Sequence, residues 1–202
     1  MKKHIFEKTP YLSLAFNIIY AFANSLLGII VHSWWFITVG AYYTVLAVMR
    51  FSALRVRHKA NGDLSKESCV MRKCGVLLIF LSICIAGVNT LTFLQVHVVS
   101  FHKIIMIAIA TYSFTKITLA IIGMVQSTNI SSPVVKTLRN ISLADACVSI
   151  YSTQRAMLAT FPGMAAANIR LLNFITGTVV LIIVLFLGIH LVVKKATHEK
   201  VA

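Results

Sequence analysis

The sequence predicts an all-α, polytopic membrane protein in which six transmembrane helices form one bundle. Hydrophobic residues make up 58% of the chain and charged residues only 12%, whereas charged residues are about 25% of an ordinary soluble domain. A membrane-spanning helix needs about 20 mostly apolar residues, and six windows of the sequence are long enough. They use most of the 202 residues, so we expect a single transmembrane domain with spans at residues 11–31, 33–51, 74–98, 103–126, 135–161 and 171–193.

The positions of the lysines and arginines predict how this bundle is oriented. Most of the nineteen lie before the first helix, between the second and third, at the start of the fifth and after the sixth, whereas Lys103 and Arg170 lie on the opposite side. The side richer in Lys and Arg faces the cytoplasm. Both termini are therefore expected in the cytoplasm, which requires an even number of spans, and six satisfies that requirement.

The longest connection, residues 52–73, is strongly basic and is predicted on the cytoplasmic side. Asn61-Gly62-Asp63 is a turn signal between its two basic stretches. A plain solvated loop is favoured over a short amphipathic helix on the membrane surface. Basic residues close to a membrane attract its anionic headgroups, and the residues assigned to this membrane-surface basic loop are Arg50, Arg55, Arg57, Lys59, Arg72 and Lys73.

Each of the first three predicted helices carries a local feature. The first is longer than the apolar core of a signal peptide, about 7–15 residues, and we expect it to be retained. Asn17 and Asn24 share one of its faces, which we interpret as a helix interface. Trp34 and Trp35 open the second helix and match the aromatic belt at a membrane boundary. The third helix is polar in its outer half, and one interpretation is a cavity there that opens to the outer side of the membrane.

The last three predicted helices are joined by short connections, so consecutive helices should be antiparallel neighbours. Ser131-Ser132-Pro133 marks the start of the fifth helix, because proline is tolerated in a first turn. Pro162-Gly163 marks its end. Arg155 lies near that end, where a long side chain can reach the headgroups.

Lys116 and Asp145 are the ionisable pair that points most directly to a function. Lys116 lies in the middle of the fourth apolar window and Asp145 at a similar depth in the fifth, since both are at similar sequence distances from the connection at residues 127–132. A charge at the centre of a bilayer costs roughly 3 to 15 kcal/mol, so a partner at the same depth is expected. We predict that the two side chains meet.

Other polar residues accompany this pair. Ser142, Asp145, Ser149 and Ser152 recur at helical spacing and form one stripe that should face protein or water. Two interpretations remain open: the pair locks a helical hairpin, with hydroxyl groups bonding across the interface, or it forms a polar site for a ligand or ion. The candidate residues of that site are Lys116, Asp145, Ser149, Ser152, Thr115 and Tyr112.

Several classes of function are disfavoured by the sequence. No nucleic-acid-binding motif accompanies the basic residues, and no HExxH, GxSxG or P-loop signature of an enzyme is found. Asp145 is the only acidic residue within a predicted span. The four cysteines lack the spacing of a zinc site and are placed in a reducing compartment. We therefore expect no catalytic residues, metal site, cofactor or nucleic-acid partner, and we favour a non-enzymatic membrane protein over an enzyme.

Two stretches resemble a group of small six-helix integral membrane proteins of Gram-positive bacteria. The resemblance lies in SWW through YYTVLAVMR at residues 33–50 and in SPVVK through STQRAML at residues 132–158. It implies a bacterial cytoplasmic membrane and no particular activity. In length and helix number the chain also resembles the substrate-binding subunits of energy-coupling-factor vitamin transporters, whose first helix carries an AxxxA pattern. Ala21-x-x-x-Ser25 matches that pattern loosely.

These observations favour a transporter or channel-like protein, or a membrane-embedded subunit that binds a small molecule. The alternative is a structural or partner-docking membrane subunit, in which the basic loop would bind a membrane or cytoplasmic protein. In either case the expected surroundings are a lipid bilayer with anionic headgroups.

Overall fold

The computed structural model describes residues 2–30, 32, 34–59, 64–94, 102–126, 132–161 and 163–199. Within these residues the chain forms six helices and no strand, so the all-α class is confirmed. Four stretches of helix are long and apolar enough to cross a membrane: Phe36–His58, Ser65–Thr90, Lys103–Gln126 and Ala166–Val193. The helices are α1 (Lys2–Ile30), α2 (Trp34–Lys59), α3 (Leu64–Leu94), α4 (Lys103–Gln126), α5 (Pro133–Thr160) and α6 (Ala166–Glu199).

The prediction of a plain loop at residues 52–73 is wrong, because α2 continues to Lys59 and α3 begins at Leu64. Lysine and arginine are good helix formers, so a helix can continue past the apolar residues that would lie in a bilayer. Arg55 and Arg57 are exposed on the last turns of α2, and Arg72 and Lys73 are exposed on α3.

Some sequence predictions fall outside the described residues. These are the turn signal at residues 61–63, the connection at residues 127–131, Pro162, and the predicted ends of spans at Val31, Ser33 and residues 95–98. The side chains of Lys59, Trp34 and Trp35 are also outside the described part of the chain.

Helix α5 lies at the centre of the fold, where it packs against α2, α3, α4 and α6. Fifteen of its residues are buried. Polar and charged groups are tolerated in such a helix because protein, rather than lipid, surrounds them. This agrees with the prediction for the polar stripe: Asp145 is 0% and Ser149 4% exposed, while Ser142 and Ser152 are half-buried.

Large apolar side chains cover the outside of the bundle. On α4 the exposed fractions are 72% for Ile104, 62% for Leu119 and 66% for Val125, and α6 exposes Phe186 at 67%. Soluble monomers rarely expose apolar patches beyond a few hundred Å². The surface therefore suits acyl chains, in agreement with four helices of membrane-spanning length.

Two helix pairs pack closely: α1 on α2, and α3 on α6. Gly75 of α3 and Gly188 of α6 lie at the crossing of the second pair, where a Cβ on Gly75 would be 2.9 Å from the carbonyl oxygen of Gly188. Helix α4 packs mainly against α5. The rings of Tyr20 on α1 and Tyr112 on α4 stack with their centroids 5.8 Å apart, and so connect the α1–α2 pair to the α4–α5 pair.

Candidate functional site

The predicted contact between Lys116 and Asp145 is confirmed. Lys116 Nζ donates a hydrogen bond to Asp145 Oδ1 over 2.7 Å. The carboxylate is 0% exposed and the lysine side chain 15% exposed. Both residues lie near the middle of their helices, so the antiparallel packing of α4 against α5 brings them to one level.

Arg50 is the second cation at this carboxylate. Its Nη2 atom donates to Asp145 Oδ2 over 2.9 Å, and its side chain is 3% exposed. The assignment of Arg50 to a basic surface loop is therefore wrong. Arg50 lies in the middle of the long α2, on the face that packs against α5, and the only acidic residue of α5 holds it there.

Asn17 of α1 completes the hydrogen bonding around Asp145. With the amide oriented to suit its neighbours, Nδ2 donates to Asp145 Oδ2 over 3.0 Å and the amide oxygen accepts from Arg50 Nε over 3.1 Å. Asn17 is 2% exposed. Four helices thus meet at one carboxylate, and we call Asn17, Arg50, Lys116 and Asp145 the charged cluster.

Three tyrosine rings surround the ammonium of Lys116. Its Nζ atom lies 5.2 Å from the ring centroid of Tyr43, 5.8 Å from that of Tyr20 and 5.9 Å from that of Tyr112. A cation within about 6 Å of an aromatic face is attracted by the quadrupole of the ring, by about 2 kcal/mol or more where water is excluded. These rings therefore compensate part of the cost of burying the lysine.

A chain of buried hydroxyl groups leads away from the charged cluster. Ser149 is hydrogen-bonded to Ser113 over 3.3 Å, and Ser113 to Thr153 over 2.6 Å, while Tyr43 lies beside Ser149. The three serine and threonine side chains are at most 5% exposed. Such bonds join helices in membranes at about 0.6 kcal/mol each, and here they join α4 to α5.

Two basic side chains contact one carboxylate in this cluster. Arg50 and Lys116 each donate a hydrogen bond to a different oxygen of Asp145. Burying a charge is costly unless it is paired and hydrogen-bonded, so the shared carboxylate stabilises both basic groups between the helices.

Two of the predicted site residues remain separate from the charged cluster. Thr115 is exposed, and its hydroxyl donates to the carbonyl oxygen of Thr111 on its own helix. Ser152 lies two turns beyond Asp145, and its Oγ atom is buried without a hydrogen-bond partner among the described residues. The ring of Tyr112 faces the Lys116 ammonium, whereas Ser149 lies beside Tyr43, another of the rings that face it.

A second polar group lies in the other half of the bundle, between α3, α5 and α6. The hydroxyl of Tyr151 donates to Asn89 Oδ1 over 2.9 Å, and Gln154 donates to Thr176 over 2.9 Å. Arg155 is hydrogen-bonded to Tyr151 and only 3% exposed. It therefore does not extend to the headgroups as predicted, because Tyr151 holds its guanidinium between the helices.

Arg50, Asn17, Tyr20 and Tyr43 are the residues of this site that sequence reasoning missed. Arg50 was grouped with the many other basic residues of the chain, because a cation near the end of an apolar window is most simply assigned to the membrane surface. One signal was present: Asn17 was singled out as a polar position on the first helix. Its partners belong to helices distant in the chain, and nothing local identifies them.

No protein family, curated protein or solved structure matches this chain. The class supported by the fold and the site is therefore a helical, membrane-type protein with a buried charged cluster.

Proposed function

We propose that this protein is a multi-pass protein of the bacterial cytoplasmic membrane that binds a small molecule at the charged cluster, as a transporter or as the binding subunit of one. The observation that carries the proposal is the convergence of Arg50 and Lys116 on Asp145 within a bundle of membrane-length helices. Ionisable residues inside a membrane are costly, and they commonly mark the path of a substrate or ion.

Tm measurements on the purified protein in detergent test this proposal. A ligand that binds only the native state stabilises it, by about 2.7 kcal/mol at a concentration 100 times the Kd. We expect one class among small anions, amines, neutral vitamins and lipids to raise the Tm. Substitution of Lys116 by Met should abolish that rise. If no class raises the Tm of the wild-type protein, the proposed binding function is wrong.

We also propose six spans with both termini in the cytoplasm. The support is the distribution of lysine and arginine and the central position of α5, which α2, α3, α4 and α6 cover. In a variant without native cysteines, Met164→Cys should react with an impermeant thiol reagent added outside cells, and His58→Cys should not. Met164 and His58 are exposed, whereas Gly163 has a φ of 148° that disfavours a side chain. Labelling at residue 58 would contradict this orientation.

One observation favours the alternative of a structural or docking subunit. Both oxygens of Asp145 already accept hydrogen bonds from groups of the chain itself, as expected if the cluster only locks four helices together. In that case Arg55, Arg57, Arg72 and Lys73 would form the docking surface, and a partner should co-purify with the wild-type protein. Replacing these four by Gln should abolish co-purification without lowering the Tm.

A further inference from the structure

We propose that a cavity between α2, α3 and α5 binds the end of an acyl chain of a membrane lipid. None of the four residues of the charged cluster lines this cavity, so the inference does not depend on the proposed binding of a small molecule there. The volume of the cavity is about 130 Å³. An apolar cavity of about 150 Å³ inside a protein stays free of water and binds benzene, so this one has room for a short length of hydrocarbon.

The cavity exists because the two helices that form its walls pack mainly on other helices. Helix α2 packs mainly on α1 and α3 mainly on α6, so a space remains between α2 and α3. Helix α5 closes this space with the floor residues Val148 and Tyr151, which are 4% and 2% exposed. Tyr42 on one wall and Leu81 on the other are also buried. Lipids that only cover the outside of the bundle therefore do not reach the floor.

The lining of the cavity selects an apolar occupant. Eight of the twelve residues that line it have hydrocarbon side chains. The hydroxyl of Tyr151 already donates to Asn89 Oδ1 over 2.9 Å, and that of Tyr42 donates to the carbonyl oxygen of Ala144 over 3.5 Å. A polar group buried without a hydrogen bond costs about 1–3 kcal/mol in proteins, whereas buried hydrocarbon gains about 0.8 kcal/mol for each CH₂. The cavity therefore favours a hydrocarbon chain.

The mouth of the cavity lies in the apolar surface of the bundle. Ala41 of α2 and Phe80 of α3 line the cavity and are exposed, Phe80 at 59%. Val76 and Ile83, near Phe80 on the same helix, are 53% and 63% exposed. This is the kind of surface that suits acyl chains, so hydrocarbon can enter the cavity sideways from a bilayer without passing through water.

The depth of the mouth favours the end of an acyl chain. At 1.5 Å per residue, Ala41 lies about 10 Å from the start of α2 at Trp34, and Phe80 about 21 Å from the end of α3 at Leu94. The hydrocarbon core of a bilayer is about 30 Å thick, and each leaflet supplies about half of it. The mouth is thus near the depth at which acyl chains end, and a lipid can insert its chain end while its headgroup stays at the interface.

Photo-crosslinking of the full-length protein in phosphatidylcholine vesicles tests this inference. One lipid of the vesicles carries a diazirine near the end of an acyl chain, and mass spectrometry locates the adducts. The filled variants are Ala41→Phe and Cys84→Phe, which add a ring from opposite walls at residues that line the cavity and are not fully buried. Ala108→Phe is the matched control, because Ala108 is exposed on α4 and does not line the cavity.

We expect adducts on the floor residues in the wild type and in the control variant. The filled variants should lose these adducts and keep those on Phe186, which is 67% exposed on α6 and reports ordinary lipid contact. If the wild type carries adducts on Phe186 but none on the floor residues, or if both filled variants keep the floor adducts, the inference is wrong. Floor adducts from phenyl-trifluoromethyl-diazirine, a small aromatic probe, without any from the lipid would assign the cavity to a small apolar molecule and overturn the acyl chain.

Discussion

Replacing Asp145 by Asn should destabilise the protein by about 3–5 kcal/mol, the usual result of removing one member of a buried ion pair. Arg50 and Lys116 would remain at most 15% exposed without their carboxylate. The asparagine oxygen can accept from one of them, but its NH₂ group then faces the other cation. The loss should be visible in the free energy of unfolding measured with a denaturant in detergent micelles.

Lys116→Met is the matched comparison and should lower this free energy by clearly less than Asp145→Asn does, because Arg50 still pairs with the carboxylate, so no buried charge is left without a partner. It leaves Arg50 and Asp145 as a neutral pair with Asn17 still bonded to both. The methionine would lie among three tyrosine rings, where its sulfur makes favourable aromatic contacts. The two substitutions should therefore lower the free energy of unfolding by very different amounts, although each removes one partner of the Lys116–Asp145 salt bridge.

Equal losses for Asp145→Asn and Lys116→Met would contradict the arrangement of the cluster. That outcome would mean that Arg50 does not share the charge of Asp145, and that Lys116 and Asp145 form an isolated pair. For an isolated pair, apolar replacement of both residues should restore stability. With Arg50 in the cluster, the same double replacement leaves a buried arginine and should not.

The sequence identified the part of the site that depends on local periodicity and on depth in the membrane. Lys116 and Asp145 lie in consecutive apolar windows, and a short connection forces such helices to be antiparallel neighbours, so their contact could be predicted. Helix α4 was predicted with the same bounds that the structure shows, residues 103–126. For α5, the spacing of Asp145 and Ser149 correctly indicated a helix buried in protein.

The remainder of the site depends on contacts between helices distant in the chain. Arg50 lies 95 residues before Asp145. For a cation near the end of an apolar window, hydropathy does not indicate whether the side chain faces the protein interior or the membrane surface. Membrane helices also extend beyond the bilayer, so the ends of apolar windows do not mark the ends of helices. This is why α2 and α3 occupy most of the connection that was predicted as a loop, and why Arg50 lies in mid-helix rather than at the surface.

The sequence also did not predict the crossing of α3 and α6, where the backbones of the two helices come into contact. Gly75 and Gly188 are not part of a repeated small-residue motif, and each approaches the other because neither has a side chain. A Cβ at Gly188 would lie 3.0 Å from the carbonyl oxygen of Gly75 and 3.1 Å from the amide nitrogen of Ile79. Backbone atoms cannot rotate away as the end of a side chain can, so the helices themselves would have to separate.

Gly75→Ala should therefore destabilise the protein by about 1–3 kcal/mol, the range found when a well-packed core is overfilled. The added methyl would be 2.9 Å from the carbonyl oxygen of Gly188 and 2.8 Å from Cγ2 of Val192. Gly87→Ala is the matched control, because Gly87 lies on the same helix and a Cβ there meets nothing within 4 Å.

The control should be neutral or stabilising by up to about 1 kcal/mol, because alanine is a better helix former than glycine. Denaturant unfolding of the two variants in detergent should thus give changes of opposite sign, or at least a difference of more than about 1 kcal/mol. If Gly75→Ala is as stable as Gly87→Ala, α3 and α6 do not approach at this crossing. Helix α6 would then have to pack on α3 through another face, since the close approach depends on the missing side chain at Gly75.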